Sequence, residues 1–139
     1  MITKSFEIEK VNMILSIVIP ALNEEDSISS IIERTLAASP VIIEKTDVTE
    51  LEITVVSDGS TDNTAERLVE LSKGHDNVFV EDYKVNKGKA EVIRASMLSL
   101  INSEYDYIVY LDADFATPFE EFDRLLHITK QYQYDIIFG

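Results

Sequence analysis

Short apolar runs rich in β-branched residues alternate with segments of helical periodicity, and this alternation constrains the fold more than any other feature. The runs lie at residues 14–19 (ILSIVI), 53–56 (ITVV), 107–111 (YIVYL) and 135–138 (DIIF), with a weaker one at 78–80. Each is apolar almost throughout, which is typical of strands covered on both faces. The alternation predicts βαβ units, and therefore an α/β fold of three layers, α/β/α, around a mostly parallel sheet.

The segments between the runs predict the helices. Apolar residues recur at helical spacing over 27–36, 63–73 and 90–101, and Gly74 follows the second of these as a C′ residue. A fourth helix is expected to begin with Thr117 as its cap, Pro118 at the first helical position and Glu120 completing a capping box. Residues 40–51 fit either a longer crossover or a small edge strand at 41–43.

The chain is long enough for one domain. Its 139 residues predict a single folded unit over 14–139 after an N-terminal extension at 1–13. Because Gly139 directly follows the last predicted strand, we expect this to be the N-terminal portion of a longer, truncated protein. The first twelve residues alternate charged and apolar side chains, unlike a signal peptide, and no apolar run approaches the roughly 20 residues that span a bilayer. A cytoplasmic domain is expected.

The charge balance limits the partners. The chain has 12 basic and 26 acidic residues, for a net charge of −14. A field of that sign repels nucleic-acid phosphates and anionic lipid, which disfavours nucleic-acid binding as the primary role. A bound cation can still reverse the field locally and admit a phosphate ligand. The absence of cysteine excludes disulfides, thiolate zinc sites and cysteine nucleophiles.

Polar residues follow three of the predicted strands at the point where each strand ends. They form the segments 20–25 (PALNEE), 57–62 (SDGSTD) and 112–114 (DAD). In open α/β sheets, ligands bind in the crevice outside the carboxyl ends of the strands. The sequence therefore predicts a ligand site at this edge of the sheet.

Asp112 and Asp114 are the candidate metal ligands. Two carboxylates two residues apart can share one cation if the backbone turns there, and Mg²⁺ and Mn²⁺ prefer oxygen ligands and often share themselves with substrate phosphates. The alternative is a pair of exposed loop acids, one of which caps the following turn.

Two further segments point to a phosphate-containing ligand. Asp58 ends a strand before Gly59, which permits a tight turn. Asp58 could therefore accept a hydrogen bond from a nucleobase imide, or it could belong to an ordinary strand–turn–helix cap. Lys87 and Lys89 lie at the start of the third helix, where positive charge is slightly unfavourable, which favours an anionic ligand over a solvated loop. The spacing does not support a Walker A motif.

Taken in order, four segments resemble glycosyltransferase family 2, whose fold is of the GT-A type. They are residues 16–25 (SIVIPALNEE), 53–64 (ITVVSDGSTDNT), 86–90 (NKGKA) and 110–118 (YLDADFATP). Within the family the chain looks most similar to enzymes that load a sugar onto dolichyl or polyprenyl phosphate, and the resemblance covers residues 14–139. It implies the donor-binding part of an inverting glycosyltransferase that uses a UDP- or GDP-sugar with Mg²⁺ or Mn²⁺, with a lipid phosphate as one candidate acceptor.

The resemblance also implies roles for individual residues. The nucleotide-sugar positions would be Pro20, Ala21, Asn23, Glu24, Asp58, Gly59, Lys87, Gly88, Asp112 and Ala113. Asp58 would face the base, with Gly59 and Ser60 shaping its turn, while Lys87 and Gly88 would lie near the diphosphate. Asp112 and Asp114 would hold the metal as a DXD motif.

The chain departs from the family pattern in three respects. Ser57 stands where many members have a second acid, which implies an altered base contact, and the crossover between residues 36 and 52 is longer than expected. The acceptor-side half, which normally supplies the catalytic base, does not follow. The catalytic residues therefore stay unassigned, and one alternative is that this chain binds the donor without transferring the sugar. A lipid acceptor would associate the full-length protein with a membrane.

Other residue types are interpreted structurally, and other functions are kept open. His75 and His127 are expected to be structural or exposed, and Phe115 and Phe119 to pack in the core or at the rim. The alternatives to a transferase are a non-catalytic nucleotide-binding or regulatory module, a phosphoacceptor receiver domain, and a nucleotidyltransferase. The last two lack supporting motifs, since strand one ends without an acidic pair and no glycine-rich basic loop follows it.

Overall fold

Four parallel strands form one sheet in the computed structural model, which describes residues 12–114 and 118–137. The elements are β1 (Ile14–Ala21), α1 (Ile28–Lys45), β2 (Glu50–Asp58), α2 (Thr64–Ser72), β3 (Val78–Tyr83), α3 (Lys89–Leu100), β4 (Tyr107–Tyr110) and α4 (Glu120–Tyr132). The strand order is β3-β2-β1-β4, and every pairing is parallel. The predicted α/β class and parallel sheet are confirmed. No helix within the described ranges is long and apolar enough to cross a membrane.

Successive side chains of β1 point to opposite faces and hold helices on both. Ile17 and Ile19 belong to the main buried cluster, which includes Ile32 of α1 and residues of α2 and α4. Val18 belongs to a smaller cluster on the other face with Val92 of α3. This two-residue period explains why β1 is apolar almost throughout, because both of its faces are covered. The three layers are therefore α1, α2 and α4, then the sheet, then α3.

Helix α1 continues through Pro40 and ends at Lys45, so the edge strand considered at 41–43 is wrong. The apolar stripe continues beyond the proline, since Ile42 is as buried as Ile31 and packs in the same cluster. Pro40 itself lies on the exposed side of the helix. Burial of the far turn thus outweighs the hydrogen bond that proline removes from a helix.

Two predictions at the C-terminal end need correction. Helix α4 begins at Glu120 with Phe119 as its N-cap, so Pro118 precedes the helix and is not its first residue; Thr117 lies outside the described residues. Phe122, which the sequence analysis did not single out, carries the burial of this helix against the core, together with Leu126. Residues 135–137 are not a strand. Ile136 is 74% exposed and has no neighbouring strand to pair with in the part of the chain that the structure describes.

The order of the strands places a crevice at the carboxyl end of β1. The chain moves outward from β1 to β2 and β3, then crosses back to place β4 on the other side of β1. The loops that leave β1 and β4 therefore flank a topological switch point, which is where open α/β sheets bind ligands. The predicted N-terminal extension stays a prediction, because residues 1–11 lie outside the described part of the chain.

Candidate functional site

The loops that follow β1 and β2 are held together by hydrogen bonds at the carboxyl edge of the sheet. The Asn23 backbone N–H donates to Ser60 Oγ at 3.1 Å, and the Glu24 N–H donates to Thr64 Oγ1 at 2.8 Å. In return, the Asn63 N–H donates to a carboxylate oxygen of Glu25 at 3.0 Å. Contacts in both directions fix the two loops as one rigid rim.

Asn23 has a special backbone conformation in this rim. Its φ is 53°, in the left-handed region that asparagine tolerates better than most residues. Its side-chain oxygen accepts from the Thr61 N–H at 2.8 Å, which compensates for the unusual turn. Asn23 is exposed and lies beside the β2–α2 turn, where its side-chain oxygen is engaged by the Thr61 N–H; its role in a nucleotide pocket stays a prediction.

Asp58 joins the end of β2 to the start of α3. Its side chain is buried, and its two carboxylate oxygens accept from the backbone N–H groups of Lys87 at 2.8 Å and Gly88 at 2.9 Å. The Asn86 side-chain amide donates to the Asp58 carbonyl oxygen at 3.1 Å. Two charge-assisted bonds to one buried carboxylate hold this loop strongly. The sequence predicted that Asp58 faces a base. Its role in anchoring this loop was not foreseen, although its strand-end position next to Gly59 could have suggested it.

Gly59 permits the close approach of the same loop. Its φ is +71°, and a Cβ added there would lie 2.4 Å from the Asn86 backbone nitrogen and 2.9 Å from its Cα. Both distances are shorter than real Cβ atoms allow. The glycine is therefore required by geometry at the point where the β2–α2 and β3–α3 loops touch.

Asp112 follows β4 and is held by two side chains from different elements. Lys89, the first residue of α3, forms an ion pair with Asp112 Oδ1, and the Tyr110 hydroxyl donates to the same oxygen. The Lys89 ammonium also lies 5.5 Å from the centre of the Tyr110 ring, within range of a cation–π contact. The contact of Lys89 with Asp112 was not foreseen, because it depends on α3 crossing the sheet toward β4.

These contacts set the charge state of the cluster. The hydrogen bond with Asp112 is the main cause that raises the pKa of Lys89, and the contact with Tyr110 adds to it. Burial would raise the pKa of Asp112, but the hydrogen bonds from Lys89 and Tyr110 outweigh it and lower that pKa below its ordinary value. Burial, followed by the bond to Asp112, raises the pKa of the Tyr110 hydroxyl. At neutral pH Asp112 is therefore a carboxylate, the form that binds a cation.

The donor set at this turn suits a hard divalent cation. Asp112 already binds the Lys89 ammonium at Oδ1. Both side chains are partly exposed, Asp112 at 38% and Lys89 at 58%, so the ion pair can open into solvent. Asp114 is exposed and lies two residues further on. Within residues 12–114 and 118–137, no cluster of three or more His, Asp or Glu side chains is preformed. A cation here would therefore complete its shell with water or ligand oxygens, as Mg²⁺ usually does.

The remaining predicted positions differ in burial and in their contacts. Ala21 is 3% exposed and its methyl group lies in the core, Pro20 is half-buried within β1, and Ala113 packs against the main cluster. Lys87 is exposed and its ammonium lies 3.9 Å from the centre of the Tyr83 ring. His75 and His127 are both exposed. Phe119 packs against the core, as expected, while Phe115 lies outside the described residues.

Two small cavities lie away from this edge. One of about 100 Å³ is lined by residues that include Thr46, Tyr107 and His127, and an apolar one of about 160 Å³ lies between α1 and the start of α4. Neither includes a residue of the three polar loops. The candidate site is thus the carboxyl end of the sheet, among the loops that carry Asn23, Asp58 and Asp112.

Comparison with known proteins connects this crevice to a family. The model of glycosyl transferase family 2 matches residues 16–139. A dolichyl-phosphate beta-glucosyltransferase of Trichomonas vaginalis is 35% identical over 111 residues, which are 80% of this chain and 33% of that protein. An undecaprenyl-phosphate 4-deoxy-4-formamido-L-arabinose transferase of Proteus mirabilis is 35% identical over 130 residues, which are 93% of this chain and 37% of the relative. The chain thus spans about a third of the length of these curated relatives.

Solved structures of glycosyltransferases share the fold. TarS of S. aureus, residues 1–349, superposes with a TM-score of 0.59 at 24% identity, covering 88% of this chain and 34% of that one. A complex of the same protein with UDP superposes with a TM-score of 0.53 at 26% identity, covering 73% of this chain and 28% of that one. The mannosyltransferase PcManGT of Pyrobaculum calidifontis, solved with GDP-Man and Mn²⁺, superposes with a TM-score of 0.57 at 20% identity. The superposition covers 82% of this chain and 32% of that one. The fold is therefore of the GT-A type.

The family match covers almost all of the chain from β1 onward and favours the transferase interpretation over the receiver-domain and nucleotidyltransferase alternatives. The segments it includes are those that build the crevice, from the rim after β1 to the carboxylates after β4. The chain belongs to glycosyl transferase family 2.

Proposed function

We propose that this chain binds the nucleoside diphosphate of a UDP- or GDP-sugar in the crevice at the carboxyl ends of β1, β2 and β4, together with Mg²⁺ or Mn²⁺. The observation that carries the proposal is the position of Asp112, an ionised and partly exposed carboxylate at the topological switch point. In a chain of net charge −14, a cation at this carboxylate gives a diphosphate a favourable place to bind. The base would lie toward the rim formed by Asn23 and the β2–α2 turn.

The reaction proposed for the full-length protein is sugar transfer to an acceptor oxygen. The acceptor forms a bond to the anomeric carbon as the bond from that carbon to the diphosphate breaks, and the electron pair leaves with the nucleoside diphosphate. A divalent cation held by Asp112 and Asp114 would offset the charge that builds on the departing diphosphate. The names of the relatives, which act on dolichyl and undecaprenyl phosphate, support a polyprenyl phosphate as acceptor. Such a lipid would bring the full-length protein to a membrane.

Calorimetric titration tests donor binding directly. UDP-glucose and GDP-mannose are each titrated into the chain with Mn²⁺ and with EDTA, and we expect one of them to bind only with Mn²⁺. Asp114→Asn and Asp112→Asn should weaken that binding by about tenfold or more, since each removes a charged ligand worth over ~1 kcal/mol. The matched control is Asp47→Asn, which removes the same charge from the exposed pair with Lys130 at the opposite edge of the sheet. Equal affinity in the Asp114 and Asp47 variants would count against the metal assignment.

A further inference from the structure

The contact between Lys89 and Asp112 places a built-in cation on the carboxylate that the proposed function gives to the metal. Both the ammonium of Lys89 and the hydroxyl of Tyr110 converge on the same oxygen, Asp112 Oδ1. A divalent ion that binds Asp112 competes with the ammonium for this carboxylate, because two cations held at one carboxylate repel each other. Metal binding and the position of Lys89 are therefore linked by geometry.

The position of Lys89 makes the exchange feasible. It is the first residue of α3, immediately after the N-cap Gly88, so only its own side-chain torsions need to change. The loop before it is anchored independently, since the Lys87 and Gly88 N–H groups are bound to Asp58. The backbone thus stays fixed while the half-exposed ammonium moves. A lysine at a helix N-terminus is unfavourable for the helix itself, so an electrostatic partner is needed to offset the cost in either position.

We propose that Lys89 occupies the metal carboxylate Asp112 while the site is empty, and that the metal replaces it there and releases it to the diphosphate of the donor. The inference rests on the proposed donor site and adds a specific positioning residue to it. Because the lysine competes with the metal but assists the donor, it makes each bind more strongly in the presence of the other. Linkage requires this coupling to be reciprocal.

Mn²⁺ binding measured without nucleotide tests whether Lys89 competes with the metal for Asp112, as distinct from a general effect of one positive charge on the protein. Free Mn²⁺ is followed by electron paramagnetic resonance for the wild type, Lys89→Met, Lys89→Arg and the control Lys84→Met. The control removes the same charge from an exposed pair with Asp82, and about 0.15 M salt screens its distant effect. We expect Lys89→Met to bind Mn²⁺ about two- to fivefold more tightly than the wild type, the range for loss of a competing exposed ion pair. Lys89→Arg and Lys84→Met should match the wild type.

The same titrations in the presence of UDP measure the coupling. Adding UDP should raise Mn²⁺ affinity by a larger factor in the wild type than in Lys89→Met, because the variant has no ammonium to release. Equal or weaker Mn²⁺ binding by Lys89→Met without UDP overturns the exchange, as does an equal gain in Lys84→Met. If the wild type binds UDP–Mn²⁺ in these cases, the donor site stands without the exchange. If no variant binds Mn²⁺ with or without UDP, both proposals fail together.

Discussion

At the scale of single residues, the site depends on a few positions where backbone geometry leaves no choice. Gly59 and Gly88 both have positive φ, at 71° and 89°, yet they differ in their surroundings. A Cβ on Gly59 would collide with the backbone of residues 85 and 86, whereas a Cβ on Gly88 would meet nothing within 4 Å. A side chain at Gly88 would therefore cause conformational strain alone, whereas one at Gly59 would cause strain and a steric collision.

Alanine substitution at the two glycines tests this distinction. Gly88→Ala should lower the free energy of unfolding by about 1–3 kcal/mol, the cost of a strained φ alone. Gly59→Ala should lower it by about 3–5 kcal/mol, because the loop that donates to Asp58 must also move away. Urea denaturation of both variants measures the difference. An equal or smaller loss for Gly59→Ala would contradict the tight contact between the β2–α2 and β3–α3 loops.

At the scale of elements, helix α1 shows how burial decides where a helix ends. Pro40 removes one backbone hydrogen bond and faces solvent, while Ile42 beyond it is buried. Pro40→Ala should therefore raise the free energy of unfolding by about 1–3 kcal/mol, because it restores the bond and keeps the buried turn. The control is Glu33→Ala, at an exposed position earlier in the same helix, and it should gain no more than about 0.5 kcal/mol. Urea denaturation measures both changes, and loss of stability in Pro40→Ala would mean that the proline itself supports the packing of α1.

The elements also separate what the sequence could predict from what it could not. Each of the strands β1 to β4 is marked by an apolar run of a few consecutive residues, which is a local signal in the sequence. All four strands were therefore predicted, as were the polar loops after them. Residues 135–137 resemble a strand in composition, but a strand exists only with a neighbour to pair with. Likewise, the pairs Asp58–Gly88 and Lys89–Asp112 join separate elements. Their contacts depend on where α3 crosses the sheet, which no local pattern contains.

At the scale of the whole molecule, the net charge of −14 should govern how the candidate site responds to salt. The acidic field attracts Mn²⁺ and repels a free nucleotide, and both effects extend over about one Debye length. Raising NaCl from about 0.02 M to about 0.5 M shortens that length from roughly 20 Å to roughly 4 Å. The field then acts on a ligand only through the nearest charges.

The two ligands should therefore respond differently to added salt. We expect affinity for Mn²⁺ alone to fall by about tenfold over this range, as the long-range attraction is lost. Affinity for UDP measured in saturating Mn²⁺ should change by less than about threefold, because the bound cation already cancels most of the nucleotide's charge and the field has little left to act on. Calorimetry at several salt concentrations gives both slopes. A salt-independent Mn²⁺ affinity would mean that the metal senses only Asp112 and its immediate neighbours, and that the acidity of the rest of the molecule serves solubility alone.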